Sequence, residues 1–471
     1  MRRARRKEGP PRRHTCPVGS FVDRLPPVRT FRELRRDFDR LVLVLAAGDL
    51  VANFGFALVF PFLTIYLVQG LGATAAEAGL VTALYSVCSI ASGAVGGWLA
   101  DRFGRRRVMI VSVASTGVVI ALMGRAGDLT TIALLTVVLG IVDPPFVPAA
   151  RAAVSDVVRE DRRPRAYGLL SVANAVGWIA GPAIGAGLSG FGYDVLFLVA
   201  GILIGSFAIV GFAWLPETLG RTPLVDAGGG TTAAAVGPDR PATIVGLDAA
   251  VPHAEPRGSR SATAVTASEA PGNVGRRARA FAAFLAIAMA AQGAIFLWVS
   301  VLPVHASGDL GVATGTWGLL FSLNGILIVV FQLRISTAVE GRPKVFVMAG
   351  GMLCYATAMA VVAAAQDPAW AIPAIATAVV VITCGEMLFY PMEAAFVSDV
   401  SAVDRRGRNQ GFLLAAAGVG TALGPPIGGY VLDNAPGPAL WAGAAVIFLA
   451  CAGALGLLGR ATRSLPSVEG A

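Results

Sequence analysis

Apolar residues run through the chain in twelve blocks of about twenty, separated by shorter polar stretches. The blocks lie near 41–67, 78–99, 108–124, 129–149, 168–188, 195–215, 280–303, 315–334, 345–365, 370–391, 410–431 and 439–458. A bilayer core of ~30 Å needs about 20 apolar residues in a helix rising 1.5 Å per residue. The pattern predicts an all-α integral membrane protein with twelve transmembrane helices. The stretch 216–278 stands apart. It is rich in Gly, Ala, Pro, Thr and Ser, too polar to span and too poor in large apolar side chains to build a core. The predicted organisation is a basic tail (1–40), a six-helix bundle (41–215), a flexible linker (216–278), a second six-helix bundle (279–460) and a short tail (461–471).

Composition agrees with this pattern. The 471 residues are 55% hydrophobic and 14% charged, where soluble domains carry roughly 25% charged residues. The net charge of +9 comes from arginines that punctuate apolar runs instead of gathering on one domain, so no nucleic-acid partner is expected. If the N-terminus is placed in the cytoplasm, 37 of the 38 Lys and Arg fall on the cytoplasmic side, with Arg125 the exception. The positive-inside rule then puts both termini in the cytoplasm. The first 40 residues lack the apolar core of a secretory signal. The five cysteines are scattered, without metal-ligand or redox spacing. No G-x-x-x-x-G-K-[ST] phosphate loop and no zincin helix occurs. No enzyme activity, cofactor or metal is therefore expected, and transport energy has to come from an ion gradient.

The chain repeats itself at a shift of 243. Residues 146–185 and 389–428 agree at 20 of 40 positions without a gap, including Pro148/Pro391, Asp156/Asp399, Gly168/Gly411 and Gly181-Pro182/Gly424-Pro425. Two related six-helix halves follow. An even number of helices per half makes the repeat parallel, with an axis along the membrane normal, which is an architecture of secondary transporters.

Three stretches carry a family resemblance. GGWLADRFGRRR (96–107) resembles the G-x-x-x-D-R-x-G-R-R signature between helices 2 and 3 of the major facilitator superfamily. GWIAGPAIGAG (177–187) is similar to the helix-5 motif of its drug/proton antiporter branch, and GTALGPPIGGY (420–430) is its copy in helix 11. The resemblance implies two pseudo-symmetric bundles and a gating motif of Gly97, Asp101, Arg102, Gly104, Arg105 and Asp156. In that motif Asp101 meets the N-terminus of helix 11 and holds the cytoplasmic side shut, while Arg105 pairs with Asp156. Arg106 and Arg107 serve topology. Gly93 and Gly97, four residues apart, predict close helix packing. The Gly-Pro motifs (Gly177, Gly181, Pro182, Gly185; Gly420, Gly424, Pro425, Gly428) are expected at the interface between halves. One departure stands out: Thr136 occupies the place where the family often has a helix-4 arginine.

Ionisable side chains within spans are costly and point to function. Asp49, Asp143 and Glu386 lie well inside, and the repeat maps Asp143 onto Glu386 and Asp49 onto Gln292. Asp49 and Asp143 both fall ~10 Å from the cytoplasmic boundary at 1.5 Å per residue, with Asn53 one turn above Asp49. Asn324 and Gln332 suit interhelical bonding, and Glu393, near a predicted helix end, is expected in water. Phe54, Phe56, Phe60, Tyr66, Tyr85, Trp178, Phe296, Trp298 and Tyr390 are candidate lining. A cavity with acids and aromatics but no inward Arg or Lys disfavours anions.

The expected activity is proton-coupled export of amphipathic or drug-like compounds, with Asp49 and Asp143 sharing the coupling proton. The expected setting is a bacterial inner (plasma) membrane, with a small-molecule substrate, protons and the lipid bilayer as partners and a monomeric state. The alternatives are an uptake symporter or exporter for a metabolite such as a sugar, and a receptor or scaffold without transport.

Overall fold

Capping residues, glycines and prolines decide where these helices start, bend and stop. A computed structural model describes residues 40–159, 162–219, 271–365, 367–401 and 405–462. Among them are twelve helical spans long and apolar enough to cross a bilayer. They are α1 (Arg40–Gly70), α2 (Ala75–Phe103), α3 (Arg105–Met123), α4 (Leu129–Val157), α5 (Arg165–Ser189), α6 (Tyr193–Trp214), α7 (Gly275–Gly308), α8 (Thr314–Ala338), α9 (Lys344–Ala364), α10 (Pro368–Val400), α11 (Gly407–Asn434) and α12 (Gly437–Thr462). All twelve apolar blocks are helices, and most run on past the apolar block into polar turns. Thr74 and Glu77 close a capping box at the start of α2. Asp128 caps α4, accepting from the Thr131 amide at 2.8 Å and its hydroxyl at 2.7 Å. Those bonds hold the Asp128 carboxyl below its ordinary range. Gly104 alone joins α2 to α3, with φ at +97° and the Glu217 carboxylate where a Cβ would stand. That backbone favours glycine twice over, for its torsion and for its missing side chain.

The packing repeats with the sequence. In the first half α1 lies along α5 and α6, α3 along α6, and α2 along α4. In the second half α7 lies along α11 and α12, α9 along α12, and α8 along α10. Two large contacts join the halves, α2 with α11 and α5 with α8, and the repeat exchanges one for the other. Arg40 and Thr462 share the arginine-rich side. Among the described residues, hydrogen bonds join the halves at the far side: Gln69 donates to Ser307 at 2.9 Å, and Asp433 accepts from Ala75 and Ala76. The halves are thus bonded together at the far side.

Both ends of the stretch 216–278 fall among the described residues and have local structure. At its start Glu217 accepts from the amides of Arg105 (3.0 Å), Thr218 (3.0 Å) and Leu219 (3.1 Å), and Thr218 is fully buried. At its other end α-helix begins at Pro271. A carboxylate that accepts three amides folds a turn which composition alone assigns to a mobile segment. Residues 1–39, 220–270 and 463–471, which hold most of the tails and linker, lie outside the described residues.

Candidate functional site

The centre of the site is a break in α4. Pro144 and Pro145 have no N–H, so the carbonyls of Gly140 and Ile141 lose their intrahelical donors. The helix divides into Leu129–Val142 and Phe146–Val157, with Asp143 between them. Side chains from neighbouring helices cover freed carbonyls. The Ser92 hydroxyl of α2 donates to Ile141, and that of Ser112 in α3 is shared between Val142 (2.6 Å) and Asp143 (3.0 Å). Irregular backbone at membrane depth is tolerated where such partners exist. At the break the Tyr85 hydroxyl of α2 donates to the Asp143 carboxylate at 2.9 Å.

The second half holds a counterpart. Asn324 of α8 donates to Glu386 of α10 at 2.7 Å and to Thr383 at 3.0 Å. The buried Trp298 indole N–H faces Glu386 without closing a bond of normal geometry. Gln292 of α7 donates to the Tyr390 hydroxyl at 3.3 Å. The repeat equivalents of Pro144 and Pro145 are Met387 and Leu388, and α10 is unbroken from Pro368 to Val400.

A series of ring contacts links Tyr85, at Asp143, to Trp298, at Glu386, and crosses from half to half. Phe56 packs on Tyr85 (5.5 Å between centroids) and Trp178 (6.0 Å). Phe60 meets Phe296 edge-on at 6.1 Å, and Trp178 meets Phe321 at 6.2 Å. Phe321 stacks on Trp298 at 5.0 Å. Tyr66 lies elsewhere, against Tyr193 and Phe197.

Two expectations change. Arg151 of α4 lies within electrostatic reach of Asp49, so Asp49 is not an isolated acid and the acids are not free of basic neighbours. Asn53 donates to the Asp49 carbonyl at 2.7 Å and accepts from the Trp178 indole at 3.2 Å. Glu393 is not in water. Helix α10 continues seven residues beyond it, and it is 9% exposed, near Tyr355 and Tyr390.

The gating motif is assembled around Arg105. Its guanidinium bonds Asp101 at 2.7 Å, the Ala100 carbonyl at 2.9 Å and Asp156 at 3.1 Å. Lys344 at the start of α9 bonds Asp399, the repeat equivalent of Asp156. Asp101 is 68% exposed and, among the described residues, has no bond to α11. With the halves bonded at the far side, its carboxylate turns to Arg105 one turn on. A Cβ at Gly97 would meet nothing and one at Gly93 would only graze Pro144; Gly96 is the residue that admits Pro145 and Pro148 of α4. The glycine stripes also face inward within each half. Gly177, Gly181 and Gly185 receive α1 at Asn53, Ala57 and Phe62, while Gly420, Gly424 and Gly428 receive α7 at Met289, Gly293 and Leu297. The adjacent stripe makes the interface: the Pro182 carbonyl against Gly318, Ile179 against Gly325, and the Pro425 carbonyl against Gly79.

The sequence matches the profile of the Major Facilitator Superfamily over residues 45–390 and 372–470. The chain belongs to that superfamily. It is a multi-pass membrane protein and a secondary transporter of small molecules, not an enzyme. Over 401 residues it is 24% identical to the uncharacterized MFS-type transporter YqjV of Bacillus subtilis, covering 84% of this chain and 88% of that one. The multidrug resistance protein MdtG of Serratia proteamaculans is 32% identical over 181 residues, 37% of this chain and 43% of MdtG. A Na(+), Li(+), K(+)/H(+) antiporter of Planococcus maritimus is 29% identical over 171 residues, 35% of this chain and 40% of its own. The fold is that of the nucleoside transporter NupG (TM-score 0.65, 14% identity, 91% of this chain and 99% of that one). It is also that of an inward-facing bacterial Spinster homologue (TM-score 0.64, 14% identity, 89% and 96%).

Within this superfamily fold sequence reading passes over the Pro144-Pro145 pair, Arg151, Glu217 and Asp433, and it offers the Tyr85 ring as lining without its hydroxyl bond to Asp143. The Asp-Pro-Pro run at 143–145 was a visible signal for the break. The others have partners 58 to 358 residues away in sequence, which no local pattern announces.

Proposed function

We propose that this transporter exports amphipathic, drug-like compounds in exchange for protons, and that Asp143 carries the coupling proton. The observation that carries this reading is the Asp143 carboxyl at the α4 break, bonded to Tyr85, whose ring joins an aromatic group drawn from both halves. A carboxyl at membrane depth is costly when charged and becomes cheap when it holds a proton. An arriving cationic substrate favours the charged form and expels the proton, which is antiport by competition. The rings supply apolar surface and cation-attracting faces without fixing one shape. Asp49 has Arg151 to offset its charge, so the proton is assigned to Asp143 before Asp49, with Glu386 as the repeat-related second carboxyl. The partial likeness to MdtG and to a cation/proton antiporter supports the direction and the ion. A bacterial inner membrane with both termini in the cytoplasm fits the arginine distribution.

The test is transport of a panel of lipophilic cations in everted vesicles, with and without a proton gradient. Accumulation that collapses with the gradient, and that Asp143→Asn abolishes, supports the reading. Accumulation indifferent to both overturns it.

A further inference from the structure

Asp433 ends α11 on the far side of the membrane. Its two carboxylate oxygens accept from the amides of Ala75 at 2.9 Å and Ala76 at 2.8 Å. These are the first amides of α2, among the four that no helix can satisfy internally. They also form the positive end of the helix dipole, where an anion is stabilised. A side chain of the second half therefore completes a helix of the first. The backbones are in contact around it, because Gly429 lies against the Ala75 carbonyl and Gly79 against that of Pro425.

Helices α2 and α11 run antiparallel, and each bears an Asp near its C-terminal end: Asp101 on the arginine-rich side and Asp433 on the far side. Each acid stands at the end where the other helix starts. We propose that Asp433 is the latch of the far side, the reciprocal of Asp101, and that the transporter alternates by engaging one of the two at a time. The structure holds one half of that exchange, with Asp433 engaged on α2 and Asp101 turned to Arg105. Tilting the halves to bring Asp101 onto the α11 N-terminus draws the far ends of the same two helices apart. Gln69–Ser307 closes the same side with neutral groups, so the charged part of the closure rests on Asp433.

The experiment is a distance measurement across the far side by electron–electron double resonance, on the full chain in lipid nanodiscs with its native cysteines replaced. Spin labels go on Phe191→Cys and Trp370→Cys, exposed positions (78% and 70%) on the far side, one in each half. Asp433→Ala should raise the ratio of long to short distances by roughly tenfold, and Asp433→Asn by less, since one carbonyl acceptor remains. Asp367→Ala, which removes a helix cap on the same side, should leave the ratio unchanged. Raising salt should shift unsubstituted protein in the same direction, because Asp433 is exposed, and leave Asp433→Ala where it is. If the alanine variant fails to insert, the asparagine variant and the salt series decide the matter. A distribution in Asp433→Asn or at high salt identical to that of the unsubstituted protein overturns the proposal.

Discussion

Tyr85 donates its hydroxyl to Asp143 at 2.9 Å while its ring packs on Phe56. One side chain thus joins the carboxyl at the α4 break to the aromatic group. Removing only the hydroxyl separates the two roles. Tyr85→Phe should insert normally and keep its ring contact. Losing a hydrogen bond of about 1 kcal/mol should lower proton-driven transport roughly fivefold. Initial rates in everted vesicles, compared with Asp143→Asn, check this, and a rate equal to unsubstituted protein sinks it.

Asp143→Asn should abolish uphill accumulation and spare exchange of substrate down its own gradient. The amide keeps the shape and an acceptor for Tyr85 but cannot take up and release a proton. Counterflow of labelled substrate alongside gradient-driven uptake reads the two modes separately. Loss of both modes with normal insertion contradicts the assignment.

Glycine substitutions should sort by what faces the missing Cβ. At Gly424 a Cβ runs into Gly293 of α7, whereas at Gly97 it meets nothing. Gly424→Ala should cost about 1–3 kcal/mol through overpacking, while Gly97→Ala stays within error. Melting temperatures in detergent test the contrast. Equal losses at both sites would remove the packing argument.

Arg105 bonds two carboxylates and a carbonyl from a buried position, so Arg105→Ala leaves Asp156 without its guanidinium. A loss of about 3 kcal/mol or more is expected, seen as a fall in inserted yield. Asp101 is exposed, and Asp101→Asn should insert normally while transport slows. Yield and rate measured on both variants distinguish a structural residue from a gating one. If the two behave alike, that division fails.

Cutting residues 225–270 should change transport little, since their composition offers no apolar face to pack. The cut spares Glu217, which holds the α3 start, and the helix beginning at Pro271. Vesicle transport of the shortened chain checks this, and lost activity with normal insertion would reveal a binding role.

How far the sequence reaches depends on the range of the interaction. The twelve helices are legible because a span of apolar residues is a local property. The carboxyls at 143 and 386 stand out because charge inside an apolar run is a local anomaly. The 243-residue shift pairs helices correctly because duplication preserves packing. What is lost is orientation around each helix axis. The glycine stripe of α5 and the stripe of Ile179 and Pro182 differ by less than a turn, and only the three-dimensional arrangement says that α1 takes one and α8 the other. Glu393 reads as solvated from its place near a predicted helix end, yet the helix continues to Val400. Asp433 and Ala75 are bonded across 358 residues, and no periodicity links them.

The α4 break has one more consequence. Asp143 and Glu386 descend from a single ancestral position, but only the first kept or gained the proline pair that interrupts its helix. A helix cut at two adjacent carbonyls bends there at little cost, while α10, where the single Pro391 frees only the Met387 carbonyl and Gln332 donates to it, resists more. The duplication has therefore ended in a division of mechanical labour. One copy mounts its acid on a joint and the other on a beam, so a symmetric scaffold carries an asymmetric pair of groups.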